Sequence, residues 1–121
     1  EQYEELTLFM IGQLNGPDKD RVAWVNAKTY DMIFTQPVVT EFKDLTVPVS
    51  LIIGTRDRTG PGRNWMRTGV EYELGRYDRL GKAAAALIPN AKLIELSGLG
   101  HLPQVENFSR FKAALTEALA H

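Results

Sequence analysis

Ala91-Lys92-Leu93-Ile94-Glu95-Leu96-Ser97-Gly98-Leu99-Gly100-His101 decides the fold: an apolar strand-like run breaks into a Gly-x-Gly turn and ends on a histidine. His101 is the only histidine in the body of the chain, since His121 is the terminal residue. Upstream, Val49-Ser50-Leu51-Ile52-Ile53 forms a second apolar run and ends in Gly54-Thr55-Arg56-Asp57. Runs apolar on both faces suit a buried parallel sheet. An acid beyond one strand and a histidine beyond the next are two parts of a nucleophile–histidine–acid arrangement.

The segments around these strands supply helices. Tyr77 to Ile88 reads as a helix whose apolar stripe is Leu80, Ala83, Ala84, Leu87 and Ile88, stopped by Pro89-Asn90. A last helix starts near Asn107 and places Phe108, Phe111, Leu115 and Leu119 at i, i+3, i+7 and i+11. Strand, helix, strand, helix over 49–120 is a βαβα unit, with parallel strands and a right-handed crossover expected. Chemistry in such sheets collects at the carboxyl ends of the strands, where Asp57 and His101 both lie. Neighbouring strands run about 4.8 Å apart, so the two loops emerge side by side. The small residues Gly98 and Gly100 permit a tight turn that projects His101 from the sheet. Asp57 can then hold one ring nitrogen and leave the other for proton transfer. A surface histidine and a turn aspartate are the plain alternatives for each residue alone; together, in this order and topology, they point to chemistry.

The segment from Arg58 to Arg76, with Gly60, Pro61, Gly62, Gly69 and Gly75, reads as a long loop, a class that is usually functional or disordered. Trp65 lies on it, with lining a substrate pocket and a plain surface place both open. Trp24 is expected in a core or interface. Toward the start, residues 1–14 read as a helix on Tyr3, Leu6, Met10 and Leu14, halted by Asn15-Gly16-Pro17. Asp18 is the expected N-cap of a second helix carrying Val22, Trp24 and Val25, which Tyr30 to Phe34 continues or packs beside. Pro37 suits the first turn of a short helix through Phe42.

Composition narrows the options. The chain has 121 residues, 44% hydrophobic and 24% charged, with net charge −1, which suits one domain or a piece of one. That balance gives no electrostatic case for nucleic acid or an anionic membrane. Without cysteine, disulfides and thiolate chemistry are out, and with two histidines no metal site is expected. No apolar run approaches the roughly 20 residues of a membrane span, and no leader is read at the start. The glycine-rich, basic Gly54 to Arg63 lacks the Gly-Lys-Ser/Thr ending of a phosphate-binding loop. A dinucleotide-binding half fails for want of a glycine fingerprint.

Residues 48–120 resemble the last two strand–helix units of the α/β-hydrolase superfamily. Gly54–Asp57 is similar to the Gly-x-x-Asp pattern ending its penultimate strand, and Gly98–His101 to the Gly-x-Gly-His turn after its final one. Glu106 and Phe111 fall where the superfamily commonly has an acid and an aromatic. The resemblance implies that Asp57 is the triad acid and His101 the triad base, with no cofactor. It also implies that residues 1–45 are the end of a cap and its returning helix, and 46–121 the C-terminal βαβα part of the core. For Glu106 two readings stand, tuning the site or, more plainly, favouring the start of the last helix through its macrodipole.

The nucleophile elbow, Gly-x-Ser-x-Gly or a variant with Asp or Cys, is missing. Ser50 lies in a strand, Ser97 ends the wrong strand and Ser109 sits in the last helix. The chain therefore reads as the C-terminal part of a hydrolase of esters, amides, epoxides or carbon–halogen bonds, inactive alone, and it opens without methionine. A small-molecule substrate is expected for the parent. The alternative is a non-catalytic binding protein that keeps the fold. A two-stranded sheet with open edges is also expected to associate, as a homodimer or by segment exchange.

Overall fold

The computed structural model describes residues 4–120; Tyr3, the Leu6 side chain and His121, used in the sequence reading, lie outside the described residues. The chain divides into two compact units between Pro37 and Val38.

The first unit is a pair of helices packed on each other, α1 (Glu4–Asn15) and α2 (Lys19–Thr35). The Gly16 N–H closes α1 on the Gly12 carbonyl at 2.8 Å, and a β-carbon at Gly16 would collide with that carbonyl. Asp18 stands at the N-cap as expected, but its side chain makes no capping bond; its carbonyl accepts the Val22 N–H at 2.9 Å. Tyr30 to Phe34 continues α2 without a break. Leu8, Phe9, Met10, Ile11 and Leu14 are all exposed, and so is Trp24, which therefore lies outside any core of the described residues. The Lys28 ammonium lies 5.2 Å from the Trp24 ring centre, a cation–π distance.

The second unit opens with a short 3₁₀ helix, Val39–Asp44, rather than one begun by Pro37. It packs against α3. Strand β1 (Ser50–Gly54), helix α3 (Tyr77–Leu87), strand β2 (Lys92–Leu96), the short α4 (Pro103–Glu106) and helix α5 (Phe108–Leu119) follow. The strands pair in parallel, from Ser50 opposite Lys92 to Gly54 opposite Leu96. The fold is mixed α/β, as the spacing predicts. Pro103, with φ already suited to a helix, begins α4, an element that the sequence reading lacks.

Which helix faces close on the sheet differs from expectation. Successive strand residues point to opposite faces. Ile52 and Ile94, opposite one another, pack with Leu96, Leu99, Phe111 and Ala114. Ile53 points the other way and meets Gly81 of α3, where a β-carbon would come within 3.1 Å of the Ile53 side chain. So α5 and α3 cover opposite faces. The inward residues of α3 and its cap are Gly81, Ala84, Ala85 and Ile88, while Leu80, Ala83 and Leu87 are exposed. On α5 the inward stripe is Phe111, Ala114 and Ala118; Phe108, Leu115 and Leu119 are exposed. Both helices carry two adjacent apolar stripes, and the one with the smaller residues wins because it allows the closer approach to the strands. Among the described residues no helix is long and apolar enough to cross a membrane.

Candidate active site

Both strands stop where their loops must turn, and glycines let the turns touch. A β-carbon on Gly54 would lie 2.2 Å from the Gly100 carbonyl oxygen and 2.5 Å from that of Leu99, so no larger residue fits. Gly98 has φ +76°, a left-handed conformation that suits glycine. Three bonds then join the loops: the Thr55 N–H donates to Leu96 O at 3.2 Å, the Arg56 N–H to Leu99 O at 2.8 Å, and the Gly98 N–H to the Thr55 hydroxyl at 3.0 Å.

These contacts bring Asp57 and His101 together, with His101 Nδ1 2.9 Å from Asp57 Oδ2. The two groups are unequally exposed: the aspartate side chain is 9% exposed and the imidazole 56%. The other carboxylate oxygen, Oδ1, accepts the Thr59 N–H at 2.7 Å. Burial raises the Asp57 pKa. Hydrogen bonds from His101 and from the Thr59 backbone and side chain, together with the His101 charge, outweigh that effect and hold the carboxyl below its ordinary value. An anionic Asp57 accepting from Nδ1–H leaves Nε2 as the nitrogen that can take a proton.

Glu106 ends α4, one residue ahead of the Asn107 N-cap of the last helix, and its side chain also reaches back to the strand-end loops. Its carboxylate accepts the Gly100 N–H at 2.9 and 3.0 Å and the Arg56 guanidinium at 2.6 Å. Arg56 also donates through Nε to Gly98 O at 3.0 Å. The N-cap of α5 is Asn107, whose side chain accepts the Arg110 N–H at 3.1 Å.

The loop beyond Asp57 holds one short 3₁₀ turn, Arg63–Trp65, and returns upon itself. Gly75, at φ +74°, sits so close to Arg58 that a β-carbon would lie 2.4 Å from the Arg58 carbonyl. Its base is charged. Asp78 accepts Arg76 through both oxygens, at 2.9 and 2.7 Å, and lies 3.4 Å from Arg58; Arg76 also donates to Glu73 at 2.6 Å. The Arg76 hydrogen bonds carry the Asp78 carboxyl down to about 2 against an opposing desolvation effect. Trp65 is 72% exposed on this loop.

Ser50 lies in β1, Ser97 follows β2 and Ser109 is in the first turn of α5, so none occupies a strand-to-helix elbow between the sheet and a following helix N-terminus. The site therefore holds an acid, a histidine and a positioned turn.

Over 88% of its length the chain matches a crystal structure of a probable hydrolytic enzyme from Pseudomonas aeruginosa, with TM-score 0.81 and 46% sequence identity. It spans 34% of that chain, about a third. No protein-family model and no curated protein matches.

Proposed function

We propose that the chain is the C-terminal part of an α/β-hydrolase and that its two strand-end loops carry the acid and the histidine of a nucleophile–histidine–acid triad, Asp57 and His101. The observation that supports this most is the 2.9 Å contact between His101 Nδ1 and Asp57 Oδ2 at the carboxyl ends of two parallel neighbours. The remaining group, the nucleophile, belongs to the rest of the parent protein. Residues 1–45 are its cap end and returning helix, and 46–121 the closing βαβα segment of its core.

In this reading the buried carboxylate fixes the imidazole with its proton on Nδ1. It also stabilises the imidazolium that forms when Nε2 takes a proton. Against a serine nucleophile, Nε2 deprotonates the hydroxyl and later protonates the leaving group. Against an aspartate nucleophile, it activates the water that resolves the covalent intermediate. The substrate is a small molecule with an ester, amide, epoxide or carbon–halogen bond. This chain alone turns over none of them.

The test uses the complete parent protein and a panel of activated substrates of these four classes. His101→Ala is expected to cut kcat/KM by about 10²–10⁴-fold, the usual contribution of a general acid–base group. A His101→Ala protein with wild-type turnover overturns the assignment. A parent that binds members of the panel and hydrolyses none supports a binding protein on the same fold instead.

A further inference from the structure

The turn that carries His101 and the loop that carries Asp57 are joined one residue before each of them. Arg56 immediately precedes Asp57, Gly100 immediately precedes His101, and the Glu106 carboxylate holds both at once. From this we infer that Glu106 is a positioning residue for His101, an inference that rests on the hydrolase reading above.

Oε2 takes the Arg56 guanidinium at 2.6 Å, while Oε1 and Oε2 share the Gly100 N–H at 2.9 and 3.0 Å. The Glu106 side chain is only 18% exposed, whereas Arg56 is 66% exposed. An ion pair open to water on one side contributes little to stability on its own. A charge-assisted bond to a backbone N–H next to the histidine, however, fixes where the histidine stands. The guanidinium adds direction, because its Nε is already committed to the Gly98 carbonyl at 3.0 Å. Arg56 thus grips both ends of the turn, Gly98 directly and Gly100 through Glu106. The acid–histidine contact and this second bridge form two successive rungs across the same pair of loops. Losing the second loosens the first, because the Thr55, Arg56 and Gly98 backbone bonds anchor the turn only as far as Leu99, whereas Glu106 holds Gly100, the residue next to His101.

The consequence is a tautomer. Free neutral imidazole places its proton on either nitrogen, and a fixed carboxylate beside Nδ1 selects Nδ1–H. Imidazole nitrogen resonances of the 121-residue chain, recorded with the ring neutral and assigned with His101→Gln, read that choice without any substrate. The Nδ1–H form is expected to dominate in the wild type. In Glu106→Ala its ratio to the Nε2–H form is expected to fall about two- to tenfold, the effect of one lost hydrogen bond. Glu106→Gln keeps an acceptor for Gly100 and should restore most of the ratio. If Glu106→Ala does not fold, Arg56→Met serves in its place: it removes one anchor of Glu106 and should lower the ratio.

A folded Glu106→Ala or Arg56→Met chain with the wild-type ratio overturns the positioning role and leaves the Asp57–His101 pair standing. A wild type dominated by Nε2–H removes both. The opposite split, a shifted ratio in Glu106→Ala with undiminished turnover of the His101→Ala parent, leaves the positioning role intact and overturns the hydrolase assignment.

Discussion

Asp57 Oδ2 and His101 Nδ1 lie 2.9 Å apart although 44 positions separate the two residues in sequence. The distance is set by the sheet. Parallel pairing ends with Gly54 opposite Leu96, and the two following loops are bonded to each other before Asp57 or His101 is reached.

The pH dependence of folding follows from Asp57. Its pKa is held below the ordinary carboxylate value in the folded chain, so its contribution to stability is full above the unfolded pKa of about 3.9. It is lost as pH falls through the lower, folded value. Urea melts between pH 7 and 2.5 should show the wild type losing more stability below about pH 4 than Asp57→Asn does. Parallel curves for the two proteins would contradict the hydrogen-bonded carboxylate.

Gly54→Ala should be far more damaging than Gly100→Ala. At Gly54 the added methyl meets two backbone carbonyls, at 2.2 and 2.5 Å, and backbone cannot step aside without parting the loops. At Gly100 it meets the end of the Glu106 side chain at 2.5 Å, which can swing away. A cost of about 1–3 kcal/mol or more is expected for Gly54→Ala, the range for overpacking, and a smaller one for Gly100→Ala. Chemical denaturation of both variants measures the difference.

The loop of residues 58–76 is expected to depend on Asp78. With its carboxyl at about 2, Asp78 stays charged through most of the acid range and keeps its hold on Arg76 and Arg58. Asp78→Ala should speed proteolytic cutting within 60–75 severalfold, while cutting in α5 stays unchanged. An unchanged rate of cutting within 60–75 would show that the charges do not hold the loop.

Association is the expected fate of the exposed apolar surface. Leu80, Leu87, Phe108 and Leu119 are all 40% exposed or more on the two helices that flank the sheet. Burying several such side chains at about 1.5–3 kcal/mol each rivals the stability of a small domain. Sedimentation at micromolar concentration should find a homodimer or an exchange of segments. A cooperatively unfolding monomer would refute this.

The isolated chain should hydrolyse activated esters no faster than its His101→Ala variant. An acid and a histidine alone do not form or stabilise a covalent intermediate. A clear loss in the variant would reveal a nucleophile within these residues.

Much of this was legible from local chemistry. Two apolar runs, the glycine turns closing them and the helical periodicities between are near-neighbour properties, and they determine a βαβα order with Asp57 and His101 at the same end. Periodicity could not choose between adjacent apolar stripes on α3 and α5. Leu80 and Leu87 are as apolar as any core residue, but the approach of Gly81 to Ile53 turned the helix so that they face outward. Glu106 was visible as an acid after the histidine, with its partners hidden. Arg56 lies 50 residues away, and a backbone N–H has no signature in sequence. The sequence by itself determined the two strands, the long helices around them and the places of Asp57 and His101 in the loops that follow the strands, because those depend on residue type and local spacing. Only the tertiary structure decided which faces close and which side chain spans the two loops, because those depend on how nearly two backbones can approach.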